Sequence, residues 1–244
     1  MHEFQKSAMA PLRFAAEANQ ALLRHPMNPV SYTPMGRAMA ASLEIFEANT
    51  RDYQKPAFGL HATTIDGEDV AVHEEVVSRL PFGQLKRFVR AGDEEGAFGH
   101  PRLLIVAPLS GHYATLLRDT VRAMLPDHDV YITDWRDAAL VPLLEGGFDL
   151  DDYIDYLMEF LAVVGPGCHA LAVCQPSVPL LAAVSFLAAA GDEIVPRSMT
   201  LMGGPIDTRI NPTTPNDLAQ NHSLDWFERT VVQRVPAPNP GFMR

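Results

Sequence analysis

Cys168-His-Ala-Leu-Ala-Val-Cys174-Gln-Pro-Ser-Val-Pro179 is the stretch whose reading decides the fold. Its first half is a continuous apolar run, the pattern of a parallel strand buried on both faces. The run stops at Cys174. Gln175-Pro176-Ser177 then turns the chain into a small-residue segment, Leu180 to Ala190, that reads as a buried helix. Strand, sharp turn and helix in that order lift one side chain above the carboxyl edge of a sheet, where a nucleophile can work. Here that side chain is a thiol.

Working outward, the same rhythm repeats. Leu103-Leu-Ile-Val-Ala-Pro108 reads as a buried strand, Leu109-Ser-Gly-His-Tyr113 as the turn leaving it, and 114–124 as a helix. Val130-Tyr-Ile-Thr133 is the next strand and ends in Asp134-Trp135. Beyond Gly146-Gly147, Leu150 to Val164 is a helix whose acidic first turn, Asp149, Asp151 and Asp152, suits the helix dipole. A strand at 198–202 follows the elbow and runs into Gly203-Gly204-Pro205-Ile-Asp207. Strands and helices alternating over 103–207 imply a parallel sheet with right-handed crossovers. Ahead of this, 55–81 breaks into short β-rich pieces: Pro56–His61, a turn at Asp66-Gly67, and Val70–Val77. They read as antiparallel edge strands. Residues 86–101, charged and Gly-rich, read as a loop.

The organisation expected is therefore an α/β chain in three parts. Residues 1–52 form a helical N-terminal extension, with Thr33 as N-cap and Pro34 at the first helical position. Residues 53–207 form a doubly wound, mostly parallel core. Residues 208–244 hold one amphipathic stretch near Leu224–Val232 and a Pro-rich tail, the start of a cap or linker. That is too little for another strand, helix and strand, so the sheet is expected to be truncated before its last strands.

Bulk properties narrow the function. With 244 residues and 47% hydrophobic residues the chain can bury a sizeable core. A formal charge of −11 argues against nucleic acid or an anionic membrane surface as partner and favours a neutral or apolar substrate. The start, Met-His-Glu-Phe-Gln-Lys, has no basic region followed by an apolar run, and no stretch approaches the roughly 20 apolar residues of a membrane span. A cytoplasmic location is expected. Cys168 and Cys174 share one strand, about 20 Å apart if extended, whereas a disulfide needs Cα atoms within about 7 Å, so both should be free thiols.

For acyl-transfer chemistry a thiol needs a base, a group that orients the base, and backbone donors for the oxyanion. The elbow offers Cys174, the amide of Gln175, and the positive end of the following helix, which stabilises a thiolate. A second donor comes from the turn after the 103–108 strand, the amide of Leu109 or Ser110. His112 lies in that turn and either lines the pocket or sits on the surface. Cys174 is either the nucleophile or a small core residue, and Cys168 reads as core. His222, the single histidine after the elbow, reads as a solvated loop residue or N-cap neighbour sooner than as a base; Asp134 and Asp207 read as turn or cap residues. Scattered histidines and carboxylates make no metal site, Gly203-Gly204-Pro205 is not a phosphate loop, and no cofactor is implied.

In wording, four motifs resemble one family. Leu171-Ala-Val-Cys-Gln-Pro-Ser-Val-Pro179, Ala107-Pro-Leu-Ser-Gly-His-Tyr-Ala-Thr-Leu-Leu-Arg118, Val130-Tyr-Ile-Thr-Asp-Trp-Arg-Asp137 and Met202-Gly-Gly-Pro-Ile-Asp207 are similar to the intracellular polyhydroxyalkanoate (PHB) depolymerases, cysteine-dependent α/β-hydrolases. The resemblance implies an α/β-hydrolase fold, hydrolysis of ester bonds in poly(3-hydroxybutyrate) stored as cytoplasmic granules, and a Cys-Asp-His triad with Cys174 as nucleophile. It identifies the chain as the family's amino-terminal part, with the triad Asp and His further downstream. The elbow departs from the general G-x-nucleophile-x-G form, since Ala172 and Pro176 hold the glycine positions. Polyester synthases of the same fold carry glycines after the cysteine, so Pro176 favours a depolymerase. The implied partner is the polymer or granule surface, with or without homo-oligomerisation. Water or coenzyme A could accept the acyl group, and a non-catalytic granule-associated remnant or a polyhydroxyalkanoate synthase are the alternative readings.

Overall fold

The computed structural model of the chain describes residues 2–51, 55–94, 96–109 and 113–243. It divides into two compact units, residues 1–55 and 56–244.

The first unit is a pair of helices, α1 (His2–Arg24) and α2 (Pro34–Thr50). Thr33 caps α2 as expected, its hydroxyl accepting from the Gly36 amide at 3.0 Å. Arg13 donates to the Thr50 carbonyl at one end and Arg24 pairs with Glu44 at the other, so the two helices run antiparallel.

The second unit is built on a seven-stranded sheet: β1 (Ala62–Ile65), β2 (Glu68–Leu80), β3 (Gly83–Arg90), β4 (Arg102–Val106), β5 (Asp129–Trp135), β6 (His169–Val173) and β7 (Ser198–Met202). Their spatial order is β1-β2-β3-β5-β4-β6-β7. Pairs along β1, β2, β3 and β5 are antiparallel, and β5-β4-β6-β7 are parallel. Three helices pack on it: α3 (Arg118–Met124), α4 (Leu150–Val164) and α5 (Ser177–Ala190). Two more, α6 (Thr214–Asn221) and α7 (Leu224–Thr230), lie beyond β7 in the chain.

Strand alternation sorts the core into two layers. Leu104, Val106, Tyr131, Trp135, Ala170 and Ala172 face one way, packed with Leu157, Phe160 and Leu161 of α4 and Leu180, Ala183 and Leu187 of α5. Leu103, Ile105, Val130, Ile132 and Leu171 face the other way, with Val121 of α3, Leu125, Phe58 and Phe88. Helices on both faces of a mostly parallel sheet, with antiparallel strands leading in, make an α/β-hydrolase-type doubly wound fold.

Two expectations need correction. Residues 86–101, read as a loop, begin as strand β3, which pairs with β2 on one side and β5 on the other. Lys86, Arg87 and Arg90 disguised it, and each has found an acid: Lys86 bonds Glu74 at 2.6 Å, Arg87 bonds Asp129 at 2.9 Å, and Arg90 is buried against Asp93. Paired charges can occupy strand positions that unpaired ones could not. Conversely, Pro56–His61, read as β, is not strand, although Phe58 and Leu60 are buried. Pro56 has no amide proton to donate and Gly59 adopts φ +63°, outside the extended region. Helix α6, with Pro215 in its first turn, was not anticipated.

Candidate active site at the elbow

Three strand ends converge at the carboxyl edge of the parallel strands. β6 ends at Val173, and Cys174 takes φ +67°, one of four non-glycine residues with positive φ among those described. This left-handed conformation costs an L-residue about 1–2 kcal/mol and persists only where surrounding bonds impose it. The bonds are visible. The Cys174 amide donates to the Met202 carbonyl at 2.8 Å, extending the β6–β7 ladder by one rung. On the far side of the turn the Ser177 amide donates to the Cys174 carbonyl at 3.1 Å, and α5 starts at once with Pro176 at its N-cap. Pro176 is tolerated because this position needs no amide donor.

Cys174 is exposed, while Cys168 six residues earlier is fully buried, with its thiol pKa pushed up by that burial. Both are free thiols. Among the described residues the Cys174 sulfur makes no hydrogen bond and the Gln175 amide has no acceptor.

β4 supplies the second wall. Its exit is held by β5: Ala107 donates from its amide to Thr133 Oγ1 at 2.9 Å, and its carbonyl accepts from Trp135 Nε1 at 2.8 Å. Trp135 is itself fixed edge-on against Tyr153, with ring centroids 4.6 Å apart. Two residues on, the Leu109 amide donates to Gln175 Oε1 at 3.2 Å. The structure therefore brings Leu109 and Gln175 together across the edge. Ser110 and His112 lie outside the described residues.

The third wall follows β7. Gly203 has φ +64°, and a Cβ on Gly204 would fall 2.1 Å from Ser177 Cβ and Oγ and 2.8 Å from the Cys174 carbonyl oxygen. Only glycine lets this loop press on the elbow. Ser177 is fully buried, with a hydroxyl that has no hydrogen-bond partner among the described residues. Both stand within motifs quoted from the sequence, which give neither a role in packing at the elbow. A glycine pair directly after a strand, next in space to the elbow strand, is the signal that could have found them.

The remaining candidates serve local roles. Asp207 is held by Arg209, bonds that lower its pKa, and Arg209 is in turn held charged. His222 lies against Trp226, with ring centroids 4.0 Å apart, and its Nδ1 is 3.0 Å from the Leu218 carbonyl oxygen. Asp134 is buried and accepts from Gln84 Nε2 at 2.9 Å. Among the described residues there is no metal-holding cluster, and no helix is long and apolar enough to cross a membrane.

Comparison with known proteins adds the following. No curated protein matches the chain. Among solved structures it is similar to a proline iminopeptidase-related protein from Thermus thermophilus, at 17% identity over 55% of this chain and 45% of that one, with TM-score 0.37. It is similar to naproxen esterase (carboxylesterase NP) from Bacillus subtilis, at 16% identity over 53% and 42%, with TM-score 0.36. It is also similar to an α/β-hydrolase from the metagenome of Lake Arreo, Spain, at 16% identity over 91% and 69%, with TM-score 0.42. The chain thus spans less than half the length of the first two. Residues 203–244 match the model described as PHB de-polymerase C-terminus. The matched segment begins at the glycine pair that packs on the elbow. Over residues 203–244 the chain is thus similar to the PHB depolymerase family.

Proposed function

We propose that the protein hydrolyses the ester bonds of poly(3-hydroxybutyrate) in cytoplasmic granules, through a covalent thioester on Cys174. The observation that carries this reading is the position of Cys174: exposed, at φ +67°, at the tip of the turn between β6 and α5, in a chain with the PHB depolymerase match. A thiolate there attacks the ester carbonyl carbon, and the carbonyl oxygen becomes an oxyanion beside the Gln175 amide, with the edge amide of Leu109 across from it. Collapse of the tetrahedral adduct breaks the C–O bond. The alkoxide takes a proton and leaves as the shortened polymer. Water then attacks the thioester, freeing a 3-hydroxybutyrate unit and restoring the thiol. The first step needs a base to take the thiol proton, and His222, stacked on Trp226 and bonded back toward its own helix, is not that group in this geometry. A substrate of neutral ester groups agrees with the chain's −11 charge.

The experiment is release of 3-hydroxybutyrate from amorphous granules by the wild-type protein and by Cys174→Ala. Release abolished by the substitution supports the mechanism, and release retained discards it. Polymer growth from 3-hydroxybutyryl-coenzyme A would instead assign a transferase.

A further inference from the structure

We infer that the side chain of Gln175 acts as a plug in the oxyanion site, which an incoming ester must displace. The inference rests on the proposed thiol chemistry and extends it to the regulation of that site. An oxyanion hole needs N–H groups with no other acceptor when charge develops. Of the two donors at this edge, the Gln175 amide has no acceptor among the described residues, but the Leu109 amide donates to Gln175 Oε1 at 3.2 Å. The acceptor is a neutral amide carbonyl oxygen, the same kind of atom as the ester carbonyl oxygen of a substrate. It is carried by the residue directly after Cys174, so it stands on the second donor whenever no substrate is bound.

The surroundings favour displacement rather than a permanent tether. Gln175 is exposed, so its amide group can turn out into water without losing a buried bond. The backbone that presents the donor does not depend on the contact. Ala107 is held independently by Thr133 Oγ1 and Trp135 Nε1, and Cys174 is held by the Met202 carbonyl. Removing the side-chain bond therefore leaves both walls anchored. The plug keeps an otherwise unpaired donor satisfied and makes each turnover begin with an exchange of one carbonyl acceptor for another.

The test is steady-state hydrolysis of a soluble 3-hydroxybutyrate oligomer by the wild-type protein and three variants. Gln175→Ala removes the plug. Gln175→Met removes the acceptor while keeping the side-chain length. Gln175→Glu replaces it with a carboxylate, whose bond to an N–H is stronger. One neutral hydrogen bond exchanged at the site predicts KM lower by about three- to tenfold for the Ala and Met variants. For Gln175→Glu, KM rises about tenfold, and the anion beside the developing oxyanion also lowers kcat. A fall in kcat at unchanged KM for both Ala and Met would identify a tether and overturn the plug. Alkylation of Cys174 by iodoacetamide, which needs no oxyanion hole, is followed in parallel. A Cys174→Ala protein that still hydrolyses the oligomer would defeat the thiol mechanism itself, whatever the Gln175 series does.

Discussion

At one edge of the sheet β5 runs out into Asp134 and Trp135, both buried and bonded, while β6, two places along, runs out into Cys174, exposed and in a left-handed conformation. The two ends differ in what holds them. Trp135 has an aromatic nest of Phe148, Tyr153, Tyr156 and Phe160, and donates to the Ala107 carbonyl; Asp134 accepts from Gln84. Among the described residues Cys174 is held through its backbone, and the loop behind it carries glycine where a side chain would clash. The β5 end holds both of its last side chains by hydrogen bonds and acts as an anchor. The β6 end stores strain and, among the described residues, leaves its sulfur and the next amide without a hydrogen-bond partner, which is what a reactive position requires. The anchored end also serves the open one, because Ala107, which leads to Leu109, is pinned between Thr133 and Trp135.

The comparison can be broken most directly at the sulfur. Cys174→Ala keeps the strained backbone and is expected to reduce ester hydrolysis by at least about 10³-fold while shifting stability by no more than about 0.5 kcal/mol. Product release and urea denaturation measure the two effects separately, and a large stability loss would mean the side chain, not the backbone bonds, holds the elbow.

Next in size is the loop behind it. Gly204→Ala places a methyl on Ser177 and is expected to destabilise the protein by about 1–3 kcal/mol and to slow alkylation of Cys174. Because the contact is with the Ser177 Cβ as well as its oxygen, Ser177→Gly should offset part of the loss. Simple additivity of the two substitutions in a double-mutant cycle would remove the proposed contact.

The anchored half should reveal itself in alkali. Burial, aided by the Asp129 charge, raises the Tyr131 pKa from 10.0 to about 12, and burial raises that of Cys168 from 9.0. Both folded values lie above the unfolded ones, so this stability is complete below about pH 9 and is lost as pH climbs from there toward 12. Denaturation midpoints at pH 8 and pH 10.5 should therefore fall in the wild type and fall less in Tyr131→Phe. A flat profile would show that the buried sheet gains nothing from keeping these groups neutral.

The smallest effect tests the strain itself. Cys174→Gly relieves the positive φ but frees the unfolded chain, so a net gain of about 0.5–1 kcal/mol is expected, with activity lost. Thermal unfolding of the Gly and Ala variants side by side isolates the backbone term, and equal stabilities would argue that position 174 is not strained.

Much of this contrast was legible in the chain. The helix over Leu150–Val164 and the strand over Ser198–Met202 fall where apolar periodicity and the acidic first turn place them. Local patterning reaches that far because each element is driven by burial of its own apolar face. β3 was hidden for the opposite reason. Lys86, Arg87 and Arg90 look like loop residues until Glu74, Asp129 and Asp93, between 3 and 42 positions away, are brought beside them. At the site, the break after Val173 marked Cys174, but no pattern within a few residues gives Gly204, Ser177 or the Gln175 side chain the partner it meets.

The amino-acid order by itself determined the alternation of strands and helices, the single thiol at an abrupt turn and the acidic balance of the chain, since these depend on neighbours within a few residues. Only the tertiary structure decided which strand ends share an edge, that Cys174 is exposed while Cys168 is buried, and that the Gln175 carbonyl rests on the Leu109 amide. Those outcomes depend on groups up to 66 residues apart meeting in space, and on whether a buried polar group finds its partner once they do.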